Sequence, residues 1–206
     1  MNNNNIVIGI TKKSNRQLCC RAAEIKDVDA LVDLINFAYR GTGREDNDKS
    51  VQSKGWTNES HYISGKRLTH DSLKPRVEQQ NPARALTFVV EFADGNDAER
   101  KPIASIGVVR DDDVNAHLEA LSVEPMYQSE GIGGILMAYA EEYIVKQWGC
   151  RVISMCAVSI RNELLSWYYR LGYKPTGVYV PFHNDDHESR PFVQDIKFEQ
   201  LSKSFN

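Results

Sequence analysis

The chain is short of several things that would place it at once. It has no run of about 18 apolar residues, so no segment reads as a membrane-spanning helix. Its opening, MNNNNIVIGITKKSNRQ, lacks the charged start and long apolar core of a secretory signal. Cysteine is confined to Cys19, Cys20, Cys150 and Cys156, whose spacing fits no zinc pattern. A set this sparse reads as reduced thiols of a cytosolic protein, with packing roles for Cys150 and Cys156; the nucleus is left open by the same facts. There is no excess of positive charge either. Lys plus Arg number 25 against 28 Asp plus Glu, a net charge of −3 that argues against a nucleic-acid surface. No internal repeat is present.

What is there suits a globular α/β protein. The chain has 206 residues, 41% of them hydrophobic, enough for one sizeable core. Residues 1–16 are asparagine-rich without periodicity and read as a disordered tail. A strand is expected over Leu18–Ala23. Asp27 is placed to cap a helix whose apolar positions are Val28, Leu31, Val32, Ile35, Ala38 and Tyr39, ended by Gly41. Residues 42–65 form a long polar loop, in which Trp56 is expected to be buried. A short helix over Asp71–Gln80 precedes strands at Leu86–Phe92 and Pro102–Arg110. Asp111, Asp112 and Asp113 read as a solvated turn rather than a metal site. Further strands are expected over 151–159, 173–182 and 192–201, with a helix over 162–171. His183, Asp185, Asp186 and His187 have no fixed frame between them and read as a solvated loop, so no metal is expected.

The most informative stretch is 116–148. It reads as a strand with Leu118, Ala120 and Ser122 on one face and His117, Glu119, Leu121 and Val123 on the other. Pro125 ends it. A helix follows, with Ile132, Ile135, Leu136, Tyr139 and Tyr143 at helical spacing. The turn between them holds Gln128, Ser129, Glu130, Gly131, Ile132, Gly133 and Gly134. Glycines at a helix start let a ligand approach the backbone, and the free N–H groups there favour an anion. The common nucleotide patterns fail here: no Gly-Lys-Ser/Thr closes the turn, and Leu136 stands where a dinucleotide loop needs glycine.

The segment Val123-Glu124-Pro125-Met126-Tyr127-Gln128-Ser129-Glu130-Gly131-Ile132-Gly133 instead resembles the acetyl-CoA signature of the GNAT acyltransferase superfamily, V-x-P-x-x-[QR]-x-x-G-x-[GA], at every fixed position. A second stretch, NELLSWYYRLGY, resembles that family's N-x5-Y-x3-G-[FY] motif through Asn162, Tyr168, Gly172 and Tyr173. The resemblance implies a single domain over residues 17–206, with a mixed, mostly antiparallel sheet, helices on both faces, and a splay where CoA enters. It implies that Gln128 to Gly134 hold the pyrophosphate, that Leu121, Ser122 and Val123 bond the pantetheine arm, and that Asn162 bonds it too. It assigns Tyr168 as general acid to the leaving thiolate; Tyr169, about 100° around the helix, cannot face the same point. Glu119, and after it His117, are the candidate bases that free the acceptor amine of its proton. The expected function is acetyl transfer from acetyl-CoA to a primary amine of a small molecule or peptide, with no metal, no nucleic acid and no membrane, and with a homodimer left open. A CoA-binding sensor without turnover is the alternative, and a protein or histone acetyltransferase is the third reading.

Overall fold

A computed structural model describes residues 6–41, 56, 58–94, 100–182 and 189–206. Its ten strands are β1 (Ile6–Ile10), β2 (Gln17–Ala22), β3 (Ile63–Ser64), β4 (Ala85–Phe92), β5 (Ala104–Arg110), β6 (Asn115–Val123), β7 (Val152–Val158), β8 (Lys174–Pro181), β9 (Arg190–Pro191) and β10 (Lys197–Ser204). The helices are α1 (Val28–Arg40), α2 (His70–Glu78), α3 (Ile132–Tyr143) and α4 (Asn162–Arg170). Eight strands form one sheet in the order β1-β2-β4-β5-β6-β7-β10-β8, and β3 pairs with β9 apart from it. Every neighbour in the large sheet is antiparallel except β6 and β7.

That one parallel pair sets up the site. A helical crossover through α3 returns the chain in the same direction, as parallel neighbours require. Pairing covers only Asn115–His117 against Val152–Ser154. Beyond His117, β6 and β7 separate, so the rest of β6 has an open flank.

The sheet is covered on both faces. Val89 packs with Val28, Leu31 and Leu34 of α1 and with Leu73 and Val77 of α2. Its neighbours Phe88 and Val90 point the other way, into the larger core with Ile132, Leu136 and Met137 of α3 and Leu165 and Tyr168 of α4. Helix α1 is amphipathic as its spacing predicts, and Gly41 ends it in the left-handed conformation at φ 63°. Thr69 and Ser72 form a reciprocal cap at the start of α2.

Several expectations need correction. The lead is not unstructured as far as residue 16: Ile6–Ile10 pair with Gln17–Cys20, because the run IVIGI can add an edge strand once β2 is in place. Residues 1–5 lie outside the described residues. Asp27 makes no cap bond to α1; its carboxylate is taken by Arg21 at 2.6 and 2.9 Å and by the Glu24 N–H at 2.7 Å. Trp56 is 47% exposed rather than buried. The last strand begins at Lys197 rather than Phe192, since Arg190 and Pro191 are drawn off to β3 and Asp195 turns the chain at φ 57°. Cys150 is buried as expected, but Cys156 is exposed. The 183–187 loop lies outside the described residues.

Candidate active site

Strand β6 carries an irregularity where the chemistry is expected. Ser105 of β5 pairs with Ser122 and Gly107 pairs with Glu119, so β6 has one residue more than its partner. Ala120 absorbs it at φ 51°, a left-handed conformation that a non-glycine residue adopts only under constraint. Strict alternation therefore fails after Glu119, and Ala120 and Leu121 both border the same cavity.

Two cavities flank β6. The first, about 320 Å³, lies over the 128–134 turn, and Leu121, Ser122, Val123, Gln128, Ser129, Gly131, Ile132, Gly133 and Gly134 all line it. Ser129 and Gly131 both have positive φ, 68° and 85°, which curls the backbone into a concavity of the kind that seats anions. The first hydrogen bond of α3 runs from the Ile135 N–H to the Gly131 carbonyl at 3.1 Å, so the amides of residues 131–134 have no partner within the helix. Nothing lies within 4 Å of where a Gly134 side chain would begin. A phosphate chain fits this cradle by donor chemistry and by clearance.

Other contributors were not visible as motifs. Lys12, in the turn after β1, packs across Gly131, and its backbone N–H bonds the Glu130 carbonyl at 2.8 Å. The Glu130 side chain turns away from the cavity to accept the Lys13 N–H at 2.8 Å, clamping that turn to the loop. Gln128 donates to the Val123 carbonyl at 3.2 Å and accepts the Trp56 N–H. Trp56 meets Trp167 edge-on with ring centroids 6.4 Å apart. Trp167, Leu164, Arg161 and Arg170 complete that wall. Asn162 is exposed and lines neither cavity, whereas the buried Arg161 before it lines the first.

The second cavity, about 780 Å³, lies on the other side of the bulge and is polar. His117 and Glu119 both line it. Glu119 Oε1 accepts from Arg76 at 3.1 Å, and its stem crosses Gly107, where an added Cβ would stand 2.6 Å from Glu119 Cγ. His117 Nδ1 is 2.7 Å from Asp111 Oδ1. Cys156 also faces this cavity, with desolvation holding its thiol above the usual range.

Tyr39, Leu121 and Tyr168 line both cavities and form the wall they share. Tyr168 is 7% exposed and packs between Trp167 and Tyr173. Burial pushes its phenol above the ordinary tyrosine value. Behind this wall Glu59 bonds Arg40 through one oxygen and Arg161 through the other, the latter at 2.8 Å, with all three side chains almost fully buried.

A cradle for phosphates, a splayed parallel pair and a second cavity meeting the first at a buried tyrosine define an acyl-CoA-dependent transferase. The family model described as the acetyltransferase (GNAT) family matches residues 54–173, and the chain belongs to that family. It is an acetyl-CoA-dependent N-acetyltransferase by that membership. Among solved structures it is similar to the PaiA N-acetyltransferase from Thermoplasma acidophilum in complex with coenzyme A, at 17% identity and TM-score 0.59, covering 91% of this chain and 99% of that one. A variant spermidine N-acetyltransferase from Vibrio cholerae matches at 14% identity and TM-score 0.61, covering 91% of this chain and 93% of that one. The ribosomal-protein-S18-alanine N-acetyltransferase from Escherichia coli matches at 12% identity and TM-score 0.60, again covering 91% and 93%. No curated relative matches by sequence. Among the described residues no helix is long and apolar enough to cross a membrane, and no group of three metal-ligating side chains is present.

Proposed function

We propose that the protein acetylates a primary amine by direct attack on the thioester of acetyl-CoA. The observation that carries this reading is the shared wall of Tyr39, Leu121 and Tyr168, which puts a buried proton donor where the two cavities meet. Acetyl-CoA lies in the first cavity with its pyrophosphate on the amides of Ser129 and of residues 131–134 and its arm along Leu121 to Val123. The acceptor enters the second cavity. Its nitrogen forms the new N–C bond as the C–S bond breaks, and backbone N–H groups at the Ala120 bulge stabilise the carbonyl oxygen in between.

Glu119 takes the amine proton, directly or through a water. Arg76 engages Oε1, and Oε2 has no partner among the described residues. His117 stands two residues further along the strand and is committed to Asp111, which makes it the second choice. Tyr168 gives its proton to the departing thiolate; a phenol kept protonated by burial suits that role.

The test is release of free CoA across amines, amino acids, polyamines and peptides, with Tyr168→Phe and Glu119→Gln alongside. A transferase loses about 100-fold or more in kcat in each variant while its acetyl-CoA affinity stays within about twofold. Affinity without release across the whole panel would favour a CoA-binding sensor instead.

A further inference from the structure

The second cavity has a charge pattern that narrows the acceptor. Among the described residues its carboxylates are Glu59, Asp111 and Glu119, and each faces a basic side chain. Glu119 is paired with Arg76, and Asp111 meets His117. Glu59 is shared by two guanidiniums, those of Arg40 and Arg161. The Arg40 Nε is buried and has no hydrogen-bond partner. Burial lowers the Arg40 pKa and Glu59 works against that shift, as expected of cations held where water is scarce.

Arg67 lines the same cavity. Its backbone N–H bonds Asn36 Oδ1 at 2.7 Å, and the neighbouring Leu68 N–H bonds the same oxygen at 3.2 Å, so the segment is fixed to α1. Its guanidinium lies over the Tyr39 ring, 5.4 Å from the centroid, beside the shared wall. No carboxylate among the described residues pairs with it. A fixed arginine with a free planar fork is a seat for an oxyanion.

On the reading that this cavity receives the acceptor, we infer that the acceptor is a primary amine that also carries a carboxylate. Arg67 holds the carboxylate, while the amine points at Glu119. The arrangement disfavours polycations, which would bring further positive charge to the Arg67 end.

The experiment compares CoA release with free amino acids, the same amino acids as carboxamides, and spermidine, in the wild-type protein and in Arg67→Gln. The expected result is a kcat/KM at least tenfold higher for a free acid than for its amide. In Arg67→Gln, KM for the acid should rise about tenfold or more, KM for the amide should move less than about twofold, and acetyl-CoA affinity should be retained. Equal turnover of acid and amide, or a preference for spermidine, overturns this inference and leaves the transferase standing. An Arg67→Gln variant that loses acid and amide alike also overturns it, since Arg67 then holds the fold of the cavity rather than the carboxylate. Binding of acetyl-CoA with no release to any amine, peptides included, removes the transferase reading and this inference with it.

Discussion

The two cavities that meet at Tyr168 are made of different material. The first is walled by backbone, glycine clearance and aromatic rings drawn mainly from two continuous segments, 121–134 and 161–170. The second is walled by charged side chains from α1, the 59–76 region, Asp111 and β6, with Ser154, Met155 and Cys156 of β7 beside them. Backbone amides at a helix start present the same donors whatever the neighbouring side chains are, which suits a donor molecule common to many reactions. Side-chain charges can be exchanged without moving a strand, which suits an acceptor that changes from one family member to another.

That contrast breaks most visibly at Glu59. The acceptor side depends on a carboxylate of 5% side-chain exposure held between two buried guanidiniums. Glu59→Gln keeps the shape but removes the carboxylate that two buried guanidiniums share. We expect a loss of about 3–5 kcal/mol in stability, read from urea unfolding at neutral pH. A change under about 0.5 kcal/mol would show that the cluster is neutralised in another way and that the acceptor wall does not rest on it.

The same division decides what could be read from the sequence. The donor side was legible because its parts are local: a strand, Pro125, glycines at fixed spacing and a helical stripe all sit within thirty-odd residues. Even there the bulge at Ala120 was hidden, since His117 to Val123 can be read as unbroken alternation and only the pairing with β5 shows the extra residue. The 6–10 strand was masked by the asparagines before it, although its apolar run needed only β2 as a partner. Asn162 was carried over from a motif, but the register of α4 turns it to water and brings Arg161 inward. On the acceptor side only Glu119 and His117 were legible. Glu59, Arg67 and Arg76 look like ordinary surface charges in a polar stretch, and only the folded chain brings them to Glu119 and Tyr39.

Two glycines sharpen the contrast on the donor side. Gly131 has φ 85°, and an added Cβ would stand 2.9 Å from the Lys12 stem. The stem can give way, but the backbone cannot, so Gly131→Ala should cost about 1–2 kcal/mol in stability and weaken acetyl-CoA binding about tenfold. Gly134 sits in ordinary helical backbone with nothing within 4 Å. Gly134→Ala should raise stability by about 0.5–1 kcal/mol through helix propensity and still weaken acetyl-CoA binding, because the methyl group enters the ligand's space. Stability and affinity thus fall together at 131 and move oppositely at 134, a pattern that melting and calorimetry can separate. Unchanged affinity in Gly134→Ala would take the phosphates off this turn.

The smallest effect is expected at the junction, where the two materials meet, and it is an absence of change. Tyr168 is buried on both sides, and burial penalises the phenolate, so its pKa lies above the ordinary value of 10.0. The sign then runs one way: the phenol stays protonated through pH 10, and the stability it contributes is complete below that point and is lost only as pH rises through the native value. If Tyr168 supplies the proton to the thiolate, kcat should hold level from about pH 8 to about pH 10, in a range where an unperturbed tyrosine would begin to lose its proton. Tyr168→Phe should be slow across the same range without a new inflection. A wild-type kcat that falls with a midpoint below about pH 9 would assign the proton to another group and leave Tyr168 as packing between Trp167 and Tyr173.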